Sequence, residues 1–351
     1  MQFEIKLLED KNESEYEEFL KKCDSALFNH SIKYRNFLSS ILQNSYSKYF
    51  CFYLKGQLEA VLPVFIKESN LGKVVNSLPY YGSHGGILKS SKFKKDENTT
   101  LFNQVNDLCN EFDAISCTIV ESPTDYYKSS YSLLKAEMID NRIGQITRFP
   151  NIDNFQNYRD TLLYSYHPKT RNLVRKGIKG DFEISHNGNW ESFVILYKMH
   201  CENMESIDGK AKELSAFEAI YKGFIYDEDY RIYQAKKNGI VVASLLLFYY
   251  KNTVEYFTPT IREEFRNQQP LSALILQAMY DAVIEKNAQS WNWGGTWLTQ
   301  SGVYHFKSRW GAKDYPYRYH IKTSSELNNL IKIERKDILR EFKDFYVYPF
   351  K

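Results

Sequence analysis

Apolar residues recur along the chain at two periods, and the change of period marks out the elements. Residues 14–22 and 34–43 carry helical spacing, the first opened by Ser14-x-x-Glu17, a capping-box pattern. Residues 49–54 and 58–67 are apolar, β-branched or aromatic runs flanking Lys55-Gly56-Gln57, which predicts a hairpin. Its second strand is apolar at nearly every position and is therefore expected to be buried on both faces. A helix over 100–112 and a strand over 114–120 follow, and residues 151–157 read as a crossing into a second half.

Beyond that crossing, helical spacing returns at 189–204 and 213–224, with Phe193, Leu196, Tyr197 and His200 on one face. His200 on that apolar face reads as a core histidine. Strands at 230–236, 240–250 and 253–258, joined by Asn238-Gly239 and Lys251-Asn252, predict a meander. Pro270 stands in the first turn of a helix over 271–286, whose stripe is Leu271, Leu274, Ile275, Ala278, Ala282 and Val283. A strand over 290–293, a helix over about 298–310, a last strand over 315–322 and a charged, helical tail from Ser324 complete the chain.

The two halves repeat one order. Residues 49–87 run strand, glycine turn, apolar strand, turn, then Val-Asn-Ser-Leu-Pro-Tyr; residues 231–261 run strand, Asn-Gly turn, apolar strand, turn, then Val-Glu-Tyr-Phe-Thr-Pro. Helices precede each hairpin, and a helix plus a strand follows it. The expected fold is α/β with a mixed sheet, duplicated in tandem as 1–150 and 151–323, with a tail at 324–351.

Composition narrows the function. The 351 residues are 43% hydrophobic and 25% charged, values of a soluble globular protein. A net charge of +3 demands neither DNA nor an acidic membrane as partner. The charged N-terminus lacks the apolar core of a signal peptide, and no apolar run has membrane-spanning length, so a cytoplasmic location is expected. Cys23, Cys51, Cys109, Cys117 and Cys201 are scattered without CxxC spacing, which predicts no disulfide framework and no metal site.

Three stretches carry candidate chemistry. Residues 290–314 read SWNWGGTWLTQSGVYHFKSRWGAKD, where Trp291, Trp293, Trp297, Tyr304, Phe306 and Trp310 surround the pair Gly294-Gly295, with Lys307 and Arg309 close by. A strand end opening into a helix start is where mixed α/β folds converge free N–H groups on a ligand. Residues 78–87 hold Gly82, Gly85 and Gly86 among Tyr80, Tyr81, Ser83 and His84, either a close-approach ligand loop or a glycine-rich connection. Residues 169–179 collect Lys169, Arg171, Arg175, Lys176 and Lys179 without an acid. Arg171 and Arg175 share a helical face, a geometry for clamping phosphate.

These residues resemble a known family. The repeated helix, meander, helix, strand order is similar to the GNAT acyltransferase fold in duplicate. Lys169-Thr-Arg-Asn-Leu-Val-Arg-Lys176 with Gly302-Val-Tyr-His-Phe-Lys-Ser-Arg-Trp-Gly311, supported by Ser77-Leu-Pro-Tyr-Tyr-Gly82, resembles its Fem-type (FemAB-like) branch. That branch transfers aminoacyl groups to an amine of a peptidoglycan precursor, and relatives in polysaccharide clusters are N-acyltransferases. The resemblance implies that Lys307 stabilises the acyl-transfer intermediate and that Arg171 and Arg175 contact substrate phosphate. Two departures matter: Gln268-Gln-Pro-Leu271-Ser-Ala273 has Leu where a coenzyme A loop keeps its first glycine, and the coiled-coil arm of some Fem enzymes is absent.

Amide formation needs a deprotonated amine, a held acyl donor, and positive charge or N–H groups at the developing oxyanion. Lys307 or the N–H groups of Gly294 and Gly295 meet the last need; Glu255 and His84 are the candidate bases. Trp293, Trp297 and Tyr256 offer flat surfaces for a sugar ring or nucleobase. With Tyr80, Tyr81, Tyr304 and Arg309 these residues form the candidate substrate site.

The resulting expectation is an N-acyltransferase acting on an amine of a nucleotide- or lipid-linked cell-envelope saccharide precursor, with acyl-coenzyme A (acetyl-coenzyme A) as donor and no metal. Peripheral membrane association stays open. The alternatives are an aminoacyl-tRNA-dependent transferase acting on peptidoglycan precursor peptide, and a non-catalytic glycan- or RNA-binding module.

Overall fold

A computed structural model describes residues 2–80, 84–125, 128–152 and 155–350. In chain order, the elements begin with β1 (Glu4–Leu7), α1 (Glu13–Lys22), α2 (Ile32–Ile41), β2 (Ser45–Leu54), β3 (Gln57–Ser69), β4 (Gly72–Asn76) and the short β5 (Leu88–Lys89). Next come α3 (Asn98–Glu111), β6 (Ser116–Val120), β7 (Met138–Arg148), α4 (Tyr158–Ser165), α5 (Pro168–Lys179), β8 (Glu183–Asn187), α6 (Trp190–Glu205) and α7 (Leu214–Gly223). The meander β9 (Tyr230–Lys237), β10 (Ile240–Tyr250) and β11 (Thr253–Ile261) leads to α8 (Pro270–Lys286), β12 (Ser290–Trp297) and α9 (Ser301–Ser308). The chain closes with β13 (Ala312–Thr323), α10 (Leu327–Leu330) and α11 (Arg335–Glu341).

Contacts divide the chain into two compact units, Met1–Ile143 with Tyr315–Lys351, and Gly144–Asp314. The expected partition kept 315–323 in the second half and the tail apart. In the first unit β13 instead pairs antiparallel with β6, from Tyr319↔Val120 to Thr323↔Ser116, and the tail buries Leu330, Ile338, Phe342 and Val347. Apolar side chains at those positions make a charged-looking tail part of a core.

The first unit orders its strands β1-β2-β3-β4-β6-β13, with β5 on β3. The second orders β12-β11-β10-β9-β8. Each contains one short parallel pair in an otherwise antiparallel meander: Val74–Asn76 on Ser116–Thr118 in the first, Thr253–Glu255 on Ser290–Asn292 in the second. That shared feature supports duplication of one mixed α/β unit. In the second unit β10 is buried along nearly its whole length, because helices cover the sheet on both sides. Val174 of α5 and Leu274, Ile275, Ala278 and Met279 of α8 join Leu245, Leu247, Val254, Trp291 and Trp293 in one core, while Met199 of α6 lies against Thr260 on the other face.

The expected strand end at Trp293 is corrected. β12 runs on to Trp297 through Gly294, whose φ of +73° only glycine adopts without strain, and the following helix is shorter than expected.

Candidate functional site

The parallel ladder of β11 and β12 ends at the pair Glu255↔Asn292. Strand alternation sends Val254, Tyr256, Trp291 and Trp293 toward the α8 core, leaving Glu255 and Asn292 on the opposite face. Glu255 is only 8% exposed. Its Oε2 accepts a 2.8 Å hydrogen bond from Asn292 Nδ2, and its Oε1 has no hydrogen-bond partner among the described residues. Burial disfavours the charged carboxylate and pushes its pKa up to about 7, against the weaker opposing effect of the Asn292 bond. A buried carboxyl titrating near neutrality, with one free oxygen, is suited to take a proton from an amine.

Asn292 also links this acid to the rest of the site. Its Oδ1 accepts from Gly294 N at 3.0 Å, which pins the left-handed glycine. Gly295 O accepts from Lys307 Nζ at 3.0 Å, and Thr296 Oγ1 accepts from the same ammonium at 2.9 Å. Thr296 Oγ1 in turn donates to Gln145 Oε1 at 3.1 Å, and Gln145 Nε2 donates to Tyr304 O at 3.3 Å. Lys307 is 7% exposed, and burial alone lowers its pKa to about 8. An ammonium has three N–H groups. With two committed, the third can meet an oxyanion. Hydrogen bonds thus tie Glu255 through Asn292 to Gly294, and Lys307 to the adjoining Gly295 and Thr296, all within one unit.

The other expected site residues separate. Trp293 is buried, its Nε1 donates to Thr147 Oγ1 at 2.9 Å, and Tyr256, Trp291, Phe306 and Trp310 surround its ring. It is a wall of the core and not a stacking surface; Tyr256 packs beside it half-buried, whereas Trp297 is exposed. The N–H of Gly294, expected at the oxyanion, is spent on Asn292. Tyr304 OH donates to Asp314 Oδ2 at 2.8 Å, and Arg309 O accepts from His167 N. Arg171 and Arg175 are on α5 with their guanidinium groups 5.7 and 5.9 Å from the Tyr164 ring. Neither joins the Lys307 network.

His84 and Tyr80 belong to the first unit. His84 is buried with its ring 5.9 Å from that of Tyr317. Tyr80 is buried in a left-handed conformation against Phe37, its N–H donating to Asp344 O. Both side chains are packing groups there, so a stacking role for Tyr80 is corrected. Tyr81 lies outside the described residues. His200 is buried in the second unit, where its Nε2 accepts from Lys212 N at 3.0 Å and burial lowers its pKa to about 4.

Asn292, Thr296 and Gln145 were missed from sequence. A usable signal existed for Asn292, a polar residue between two tryptophans on a strand; Gln145 lies 151 positions from Thr296 and carried none.

Residues 189–308 match the family model described as an acetyltransferase (GNAT) domain. That span holds both Glu255 and Lys307. The chain is an acyltransferase that carries a GNAT acetyltransferase domain over those residues. Its fold is similar to the crystal structure of FemX, with a TM-score of 0.70 at 15% identity over 93% of this chain and 99% of that one. It is also similar to a tandem GNAT protein from the clavulanic acid biosynthesis pathway, with a TM-score of 0.54 at 8% identity over 92% and 98% of the two chains. A third likeness is to the C-terminal domain of a putative lysylphosphatidylglycerol synthetase from Agrobacterium fabrum, with a TM-score of 0.55 at 11% identity over 94% and 96%. No curated protein matches the sequence.

GNAT domains generally use acyl-coenzyme A, whose pyrophosphate would need open N–H groups at the first turn of α8. In this acyltransferase Pro270 has no N–H, and the N–H groups of Ser272 and Ala273 both point to Gln269 O, at 3.1 and 3.3 Å. Gly177 of α5 abuts the same turn: a Cβ there would stand 2.4 Å from Gln269 O and 3.1 Å from Ala273 N. The residues at this turn do not fit a pyrophosphate. Among the described residues no group of three or more His, Cys, Asp or Glu could hold a metal ion, and no helix is long and apolar enough to cross a membrane.

Proposed function

We propose that this acyltransferase joins an activated acyl group to an amine of a nucleotide- or lipid-linked cell-envelope saccharide precursor. The observation that carries amine acylation is the buried Glu255, held by Asn292 and connected through Gly294–Thr296 to Lys307. In the reaction, Glu255 Oε1 takes a proton from the incoming amine as its nitrogen bonds to the acyl carbon. The third N–H of Lys307 receives the negative charge that develops on the carbonyl oxygen. Collapse of the tetrahedral intermediate re-forms the carbonyl and breaks the bond to the leaving group, which departs with the electron pair and takes up the proton held by Glu255, leaving the amide and the free carboxylate. These steps require an activated acyl donor without requiring coenzyme A as its leaving group, because the first turn of α8 offers its pyrophosphate few open N–H groups.

A second reading is favoured by that same turn and by the likeness to FemX: transfer from aminoacyl-tRNA to the peptide of a peptidoglycan precursor. A non-catalytic glycan- or RNA-binding role is set aside, since the acetyltransferase domain match spans the base and the cation.

Mass-spectrometric detection of acylated product tests both readings. Purified protein would be incubated with acetyl-coenzyme A or charged tRNA as donor, and with nucleotide-linked amino sugars, lipid-linked amino sugars or a muramyl-peptide nucleotide as acceptor. An acylated amino sugar supports the first reading. An aminoacylated peptide product supports the second and removes the first, and no amide from any pair removes both.

A further inference from the structure

Helix α5 has a buried side of Thr170, Val174 and Gly177, and an outward side that the acyl-transfer network does not use. Lys169, Arg171, Arg175, Lys176 and Lys179 are spread over it without an acidic residue on the helix, and none forms an ion pair among the described residues. Aliphatic side chains flank these cations: Leu173 and Ile178 are exposed at the two margins of the buried stripe. Tyr164, 62% exposed, lies beneath the Arg171 and Arg175 guanidinium groups.

A second group of exposed apolar side chains lies on the segment whose end meets the start of α5. The N-cap of α5, His167, donates its backbone N–H to Arg309 O at the end of α9, and Tyr166 packs edge-on against Trp310. Leu298, 63% exposed, together with Trp297, Val303 and Phe306, projects from the segment that leads into and forms α9. Lys307 is on that helix. Apolar side chains clustered at an enzyme surface mark a binding face.

We propose that the outward side of α5 and the apolar side chains of 297–306 dock the protein on an anionic lipid bilayer. Cations in number, unopposed by acids, complement an anionic leaflet. Aliphatic side chains among them gain by entering the headgroup–acyl boundary. A polynucleotide would use the cations but gains nothing from Leu173, Ile178, Leu298 and Val303, and the Tyr164 ring beside the cations is already covered by two arginines. Docking puts α9 and Lys307 at the lipid surface. It rests on the acyltransferase reading only for its consequence, the selection of a lipid-linked acceptor over a nucleotide-linked one.

Vesicle co-sedimentation of the full chain tests this without measuring turnover. Binding is expected to vesicles containing about one-third phosphatidylglycerol, to weaken at high salt, and to be absent with phosphatidylcholine alone. The combined K169Q, K176Q and K179Q changes are expected to lower partitioning about a hundredfold, at roughly fivefold per cation. L298S with V303S should lower the binding that survives high salt. Equal binding to both vesicle types, binding to neither, or an unaltered triple variant overturns the proposal, as does retention on tRNA without retention on anionic vesicles. K307A should bind vesicles like the unaltered chain, so loss of turnover in that variant bears on the chemistry and not on docking.

Discussion

Glu255 and Lys307 are each held away from their ordinary ionisation by burial, in opposite directions. Glu255 must be ionised to accept a proton, and its pKa is about 7; Lys307 must be protonated to stabilise an oxyanion, and its pKa is about 8. The pH profile of kcat/KM is therefore expected to be bell-shaped, rising through about 7 and falling through about 8. Glu255→Gln should remove the acidic limb and lower turnover by about 10²–10⁴-fold, whereas Lys307→Met should remove the alkaline limb and cost about 10²–10³-fold. A profile unchanged in either variant removes that residue from the chemistry.

The same burial has a cost in stability. A carboxyl whose folded pKa lies above its unfolded value keeps its proton while the unfolded chain loses it, so stability falls as pH rises from about 4.5 to about 7. Above that window Glu255→Gln should raise Tm while it lowers activity. For Lys307 the folded pKa lies below the unfolded one; its penalty is complete below pH 8 and is relieved as pH rises toward 10.5. Melting curves of the two variants across pH 4–9 separate these signs. Asn292→Ala should shift the acidic limb as well as reduce turnover, because Asn292 supports the ionised carboxylate and pins Gly294; loss of activity with an unshifted limb would assign Asn292 a purely structural part.

Two glycines resist substitution for opposite reasons. Gly294 has open space around a would-be Cβ, so the obstacle to substitution is its positive φ. Gly294→Ala is expected to cost about 1–2 kcal/mol. Gly177 is the reverse case: its backbone is ordinary helix, but Gln269 O and the first turn of α8 leave no room. Gly177→Ala must push α5 away from α8, with an expected cost of about 1–3 kcal/mol. Denaturant unfolding of both variants checks the values, and a neutral Gly177→Ala would show that the α5–α8 contact is looser than described. The α5–α8 contact also explains why α8, despite following a GNAT-like order of elements, lacks an open anion-binding turn.

Across the whole molecule, the duplicated units have treated the same position differently. In the second unit the parallel ladder ends at Glu255, whose Oε1 has no partner among the described residues. In the first it ends at Asn76, whose amide donates to Tyr346 O and accepts from Tyr346 N, at 2.9 and 2.6 Å. Ser77 seals that unit further, donating to Thr118 O and accepting from Val120 N. The tail thus occupies, in the first unit, the place where the second keeps the buried Glu255 carboxyl. Removing residues 342–350 should strip Phe342, Phe345 and Val347 from the first unit at about 2 kcal/mol or more for each buried side chain. Hydrogen exchange would show it as lost protection around Asn76–Ser77 and β6, with the Glu255 ladder unaffected; uniform loss across both units would mean that the two do not respond separately.

The sequence by itself determined the fold class, the duplication and most of the helices and meander strands, though not β1, β7 or β8. Hydrophobic period and turn residues are local properties, and the Asn238-Gly239 hairpin, the Pro270 helix start and the run from Ser290 to Gly311 are all local signals. Lys307 and Glu255 were legible because a cation in an aromatic-rich turn and an acid in an apolar strand are costly enough to need a reason. Only the tertiary structure joined Asn292 to both Glu255 and Gly294, and only it tied Thr296 to Gln145. It also turned Trp293 from an exposed platform into a core wall and joined the charged tail to the first unit. These outcomes depend on which distant residues share a surface, and single-chain periodicity says which way a side chain faces without saying what it meets.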